Sequence, residues 1–166
     1  FVNSYIIFMQ VVPAIIPKNK EYKTDEINLV SSFANLIQID ISDGIFTSTI
    51  TWPYNSVDQD FFEKLKNEEI FFPNWEDIDF EFHLMVKNPE NQMFQWYKTS
   101  ADRIIIHAEV NHILKGIAEA CHLNGKKVGA AINPDTSLEL LEDIIDNVDF
   151  VQFMTVNPGF YGSPFQ

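Results

Sequence analysis

A chain of 166 residues with 46% hydrophobic and 21% charged residues has the length and composition of one globular domain with a substantial core. Its net charge of −13 argues against nucleic acid and anionic membrane surfaces as partners, because their phosphates would be repelled. A small anionic substrate stays open, since helix N-termini and loop N–H groups hold phosphate whatever the net charge. Cys121 is the single cysteine, which rules out an intrachain disulfide and points to a reducing compartment, the cytoplasm. No apolar run reaches the ~18 residues of a membrane span. The apolar opening, residues 1–16, is interrupted by Gln10 and Pro13 and reads as leading into a buried strand rather than as a signal peptide.

Strands are predicted, in chain order, at Val11–Ile16, Leu36–Asp40, Phe80–Val86, Arg103–His107, Lys127–Ile132 and Asp149–Val156. They are short, mostly continuous in Ile, Val and Phe, and suited to a parallel sheet covered by helices. Helices are predicted between them. Thr24 is expected to cap a helix beginning at Asp25 and Glu26. Asn88-Pro89 supplies an N-cap followed by proline at the first helical position. Thr136-Ser137-Leu138-Glu139 reads as a capping box opening a helix over Leu138–Ile145. Ile113, Leu114, Ile117 and Cys121 form one apolar helical face that ends at Gly125, so Cys121 is expected in the core. The alternation β-α-β-α allows a doubly wound sheet or a barrel. No G-x-G-x-x-G follows a strand, and polar residues gather at strand ends, which favours the barrel. Such barrels run to ~250 residues, so the expectation is a single domain over residues 1–166: an α/β TIM (β/α)8 barrel, incomplete, with six of its eight strands present and truncated at the C-terminus.

Three strand-end clusters carry candidate chemistry: residues 38–44 (Gln-Ile-Asp-Ile-Ser-Asp-Gly), residues 82–86 (Phe-His-Leu-Met-Val) and residues 154–162 (Met-Thr-Val-Asn-Pro-Gly-Phe-Tyr-Gly). The strand period of two puts Gln38 and Asp40 on one side. His83, ending a neighbouring strand, could converge on them. A carboxylate, an imidazole and an amide oxygen could together hold a divalent cation; the alternative is a solvated aspartate and a histidine satisfied in the core.

These clusters resemble the ribulose-phosphate 3-epimerase family. The family's His-x-Asp strand followed by Asp-Gly is echoed by Gln38–Gly44, and its His-Leu-Met-Val-x-x-Pro-Glu run by His83–Glu90. Lys127–Pro134 and Met154–Gly162 match its fifth- and sixth-strand signatures. The resemblance implies an isomerase that moves a proton at C3 of a ketopentose 5-phosphate, interconverting ribulose 5-phosphate and xylulose 5-phosphate. Two carboxylates would act on opposite faces of the carbon, and a divalent metal (Zn, Fe or Mn) would stabilise the cis-enediolate. Asp40 matches one of the acids, itself a metal ligand, and His83 a second ligand beside the substrate. Met85 and Met154 match pocket methionines, and Gly159, Phe160, Tyr161 and Gly162 a loop near the substrate phosphate. His107, in His-Ala-Glu, is assigned to packing or pocket support, Asp43-Gly44 to a turn, and His112 and His122 to the surface of a helix.

Three positions depart from the family pattern. Gln38 stands where the family has a metal-ligating histidine, Ala14 where it has a substrate-contacting serine, and Ser42 where it often has a third pocket methionine. An amide oxygen is a weaker partner for zinc than imidazole. The second acid and the main phosphate-binding groups of the family belong to the seventh and eighth strands. The 166 residues alone are therefore expected not to turn over, whereas a longer parent would act as an epimerase on a sugar phosphate. Other expectations are a homo-oligomer, since unpaired edge strands invite pairing, and no nucleic-acid or membrane partner. The alternative is a degenerate sugar-phosphate-binding or structural barrel without epimerase activity.

Overall fold

A computed structural model describes residues 9–159 and 162–166, apart from the side chains of residues 20–23, 111 and 112. Among the described residues six strands form one parallel sheet: β1 (Ala14–Ile15), β2 (Leu36–Ser42), β3 (Asp79–Met85), β4 (Arg103–His107), β5 (Lys127–Ile132) and β6 (Phe150–Phe153). Their order in the sheet is their order in the chain. A doubly wound sheet reverses its strand order at a switch point; this one never does, so it is the wall of a partial TIM barrel. The helices between strands are α1 (Lys20–Val30), α2 (Gln59–Lys66), α3 (Met93–Tyr97), α4 (Leu114–Leu123) and α5 (Glu139–Glu142).

The two faces of the sheet differ in kind. Ile37, Ile39 and Ile41 of β2 join Phe80, Phe82 and Leu84 of β3, Ile104 and Ile106 of β4, and Val128, Ala130 and Ile132 of β5 in one apolar cluster. Phe61, Phe62 and Leu65 of α2, Trp96 of α3 and Leu114, Ile117 and Cys121 of α4 complete that cluster. Burial, and then the nearby Asp149, push the Cys121 thiol up to about 12, so this side chain packs and does not react at neutral pH. The residues between those positions belong to the opposite, inner face. Strand register aligns Gln38 with Glu81 and Arg103, and Asp40 with His83, Ile105 and Gly129.

β4 and β5 run over the predicted residues, and the other strands begin and end within three residues of prediction. Two helix starts differ. α1 begins at Lys20, so Thr24 lies inside it rather than at its start; Lys20–Lys23 contains no helix breaker. α5 is a single turn followed by a 3₁₀ segment at Ile145–Asn147. The Thr136 hydroxyl that was to cap it donates instead to Glu109 Oε1 at 2.6 Å, and only a 3.3 Å contact from Glu139 N to Ser137 Oγ remains. Asn88 makes no side-chain cap, although Pro89 does open a 3₁₀ turn.

Candidate active site

Asp40 and His83 sit side by side in paired strands, both toward the C-terminal ends, and their side chains meet on the inner face: His83 Nδ1 lies 3.1 Å from Asp40 Oδ1. His83 is 1% exposed, while Asp40 keeps an opening to solvent. The Gln38 amide joins them, its Nε2 donating to Asp40 Oδ1 at 2.7 Å and lying 3.4 Å from His83 Nδ1. Gln38 and Asp40, set on one side by strand parity, and His83 of the neighbouring strand therefore do converge on one point.

The cluster continues across the sheet. His83 Nε2 lies 2.9 Å from His107 Nε2 at the end of β4. The two rings are inclined by only 20°, and their facing nitrogens are far closer than their centroids at 5.0 Å, so they meet edge to edge through a hydrogen bond. His107 Nδ1 in turn faces Glu109 Oε2 at 3.1 Å, and Phe46 covers the His107 ring at 4.5 Å. Glu109 Oε1 accepts from Asn133 N at 2.9 Å and from Thr136 Oγ1. Burial alone would raise the Glu109 carboxyl, but the hydrogen bonds from His107, Thr136 and backbone N–H groups outweigh it and hold it down at about 2. Burial pulls His107 the other way, below the ordinary 6.5, despite the neighbouring carboxylate. Below this layer, Glu81 and Arg103 pair at 3.6 Å and form a floor; burial raises the Glu81 carboxyl against the pull of Arg103.

Other predicted residues take definite places. Met85, 1% exposed, ends β3 beside Ser42. Ser42 is fully buried and spends its hydroxyl on Thr47 Oγ1 and the Thr49 carbonyl, latching the loop after β2 back onto the strand. Asp43 accepts from the backbone N–H groups of Ile45, Phe46 and Lys87, joining two loops. Ala14 pairs with Gln38 at the thin end of the sheet. Met154 follows β6 half-buried, with Gln152 Nε2 3.4 Å from its sulfur. Gly159 has a φ of +100°, and a Cβ there would fall 2.8 Å from Thr47 Oγ1, so the loop after β6 lies against the loop after β2 only because this residue is glycine. Gly162 also has a positive φ, with open space around it. Phe160 and Tyr161 lie outside the described residues, as does the His112 side chain. His122 is exposed and pairs with Asp149 at 2.9 Å.

Between these loops a cavity of about 410 Å³ opens beside Glu109, walled by Phe46, Thr47, Asn133, Thr136 and Asn157. A larger groove of about 760 Å³ lies at the other end of the strands, around Asn35 and Ile78, away from every residue of this cluster. The residue that sequence reasoning missed is Glu109. Its spacing of two from His107 was the available signal.

The whole cluster falls in a region shared with known proteins. The sequence matches the ribulose-phosphate 3 epimerase family over residues 10–166. The chain belongs to this family. It is similar to ribulose-phosphate 3-epimerase of Chlamydia muridarum (33% identical, 83% of this chain and 55% of the relative), of Bacillus subtilis (30%; 95% and 67%) and of Synechocystis (31%; 93% and 64%). The chain thus spans between about half and two thirds of the length of these epimerases.

Metal dependence is typical of the epimerase family, and the donors present can be tested for it. Around zinc, with bonds of ~2.0–2.2 Å, neighbouring ligand atoms sit about 3–3.5 Å apart. The Asp40 Oδ1–His83 Nδ1 separation of 3.1 Å suits two such positions. Gln38 could add its amide oxygen only by turning the amide over, because its nitrogen now faces Asp40. Among the described residues no group of three or more His, Cys, Asp or Glu side chains could hold an ion. The pair fits as part of a metal site, with further ligands required. No helix among the described residues is long and apolar enough to cross a membrane.

Proposed function

We propose that this chain carries one half of an epimerase site, with Asp40 transferring the proton on one face of C3 of a ketopentose 5-phosphate, as in the interconversion of ribulose 5-phosphate and xylulose 5-phosphate. The observation that carries this reading is the meeting of Asp40 and the buried His83 at the mouth of the sheet, with Asp40 open on one side to solvent. A carboxylate with one side open to solvent can reach a bound substrate and accept its proton. The second face of the carbon needs a second acid, which this reading assigns to the length of the family that the chain does not span. Asp40 and His83, with Gln38 as a weaker third, would hold the divalent metal (Zn, Fe or Mn). When bound, that metal would stabilise negative charge on the substrate oxygen. Met85 and Met154 would wall the reacting carbon without offering protons that compete. Gly159, with Phe160, Tyr161 and Gly162, would let loop N–H groups approach the phosphate. Ala14 would border the substrate without the hydroxyl of its family counterpart. The same reading includes cytoplasmic action, a homo-oligomer, and no nucleic-acid or membrane partner.

The test is solvent deuterium exchange at C3 of a pentulose 5-phosphate, catalysed by the full-length protein. Asp40→Asn should lower the exchange rate by at least about 10³-fold with the fold unchanged, the scale on which general acid–base groups act; exchange that survives would remove Asp40 from its role. One observation favours the alternative of a binding barrel without turnover. The Gln38 amide already occupies Asp40 Oδ1 at 2.7 Å. Tight pentulose phosphate binding without exchange would establish that alternative.

A further inference from the structure

The hydrogen bonds on the inner face form one continuous chain: Asn133 N and Thr136 Oγ1 to Glu109, Glu109 to His107, His107 to His83, and His83 toward Asp40 and Gln38. A neutral imidazole has one donor and one acceptor nitrogen, so fixing one contact of a histidine fixes the other. The anchor at Glu109 is unambiguous. A backbone N–H can only donate, so Asn133 requires an acceptor at Glu109 Oε1, and an ionised carboxylate leaves Oε2 an acceptor as well.

We infer that Glu109 and His107 are positioning residues that hold His83 in the tautomer protonated at Nε2, leaving its Nδ1 without a proton beside Asp40. The steps follow one from another. His107 must place its proton on Nδ1 to meet Glu109 Oε2, which leaves its Nε2 as an acceptor. In its neutral form His83 must then donate from Nε2, and its Nδ1 carries no proton. Two acceptors, His83 Nδ1 and Asp40 Oδ1, are left 3.1 Å apart. The Gln38 amide is placed to satisfy both, since its nitrogen carries two hydrogens and lies 2.7 Å from one and 3.4 Å from the other. The reverse direction would put a bare His107 nitrogen 3.1 Å from a carboxylate oxygen. A doubly protonated His107 would bury a charge on a ring that is 0% exposed.

The consequence, which rests on the reading of Asp40 as the proton carrier, is that Asp40 faces a lone pair and not an N–H. Its oxygen stays available as a base, and the Nδ1 electron pair stays available to a cation. The family comparison does not supply this. It comes from Glu109, a residue two steps beyond β4 that touches neither Asp40 nor His83.

The test reads tautomers directly, by two-bond ¹⁵N–¹H correlation spectra of the full-length protein labelled with ¹⁵N-histidine. The wild type should show His83 protonated at Nε2 and His107 at Nδ1; His83 protonated at Nδ1 would overturn the inference. Glu109→Gln should reverse both rings. Asn133 N–H holds the amide oxygen at the Oε1 place, so the amide nitrogen faces His107 Nδ1 and donates to it. His107 would then carry its proton on Nε2, and His83 on Nδ1. A folded Glu109→Gln protein with unchanged tautomers would also overturn the inference. Should that variant not fold, His107→Leu serves instead, because removing the acceptor for Nε2 should likewise move the His83 proton to Nδ1. These spectra do not depend on turnover. The stated tautomers without C3 exchange would count against the epimerase reading alone, and exchange with the opposite tautomers against this inference alone.

Discussion

The outer and inner faces of this sheet are made by alternate residues of the same strands, yet they obey different rules. The outer face is built from many interchangeable apolar contacts: Phe62, Phe72, Phe82 and Trp96 meet at ring separations of 4.9 to 5.9 Å, mostly tilted or edge to face. Each contact is weak and none is specific, so the face tolerates a volume-conserving change in any one ring. The inner face depends on a few polar contacts in fixed order, where each partner limits the next. Stability is expected to reside on the first face and chemistry on the second.

The largest expected effect would break this division if it failed to appear. Trp96 is 1% exposed and packs on Phe62 of α2 and Phe82 of β3. Trp96→Ala should therefore cost about 3–5 kcal/mol, read as a fall in the urea midpoint of the full-length protein. A loss below about 1 kcal/mol would mean that the outer face is not what holds the sheet together.

A smaller effect sharpens the comparison at the thin end of the inner face. Gly129 lies opposite Phe150 in the β5–β6 pair, and a Cβ there would fall 2.5 Å from the Phe150 ring. The glycine is needed for close approach and not for its backbone angles. Because Phe150 is half-buried, its ring has room to swing, so Gly129→Ala should cost about 1 kcal/mol, the low end for overpacking. Gly129→Ala combined with Phe150→Leu should recover most of that loss. If the double variant is no more stable than the single one, the ring contact is not the cause.

These faces were not equally legible in the sequence. Ile104, Ile105 and Ile106 announce β4 by composition alone, and the Arg103–His107 bounds were read correctly for that reason. Strand parity also placed Gln38 with Asp40. The sequence could not show that Thr136 turns its hydroxyl to Glu109 instead of capping α5, because the two uses differ only through a residue 27 positions away. Nor could it show that His107 is more than pocket support, since its role depends on the edge-to-edge meeting with His83 across 24 residues. Local chemistry can be read along the chain; the direction of a hydrogen-bond chain can be read only once its anchor is in place.

The smallest expected effect tests whether the buried inner face is maintained against acid. His107 is lowered from 6.5, so on acidification the unfolded chain takes up a proton at that site before the folded one does. Its contribution to stability is complete above 6.5 and falls as pH drops through the folded value. Glu109 is lowered from 4.5 to about 2, so its contribution is complete above 4.5 and is lost as pH falls through about 2. Both groups therefore lose stability with acid, His107 starting from the higher pH. The melting temperature of the full-length protein should decline from just below pH 6.5, well before most carboxylates titrate, and His107→Leu should flatten this upper window while leaving a decline below pH 4.5. An unchanged slope between pH 6.5 and 5 in that variant would show that the buried histidine is not the group responding. Because the inner face carries the buried His107, a protein whose outer face supplies most of the stability should still feel mild acid first through the residues that line its site.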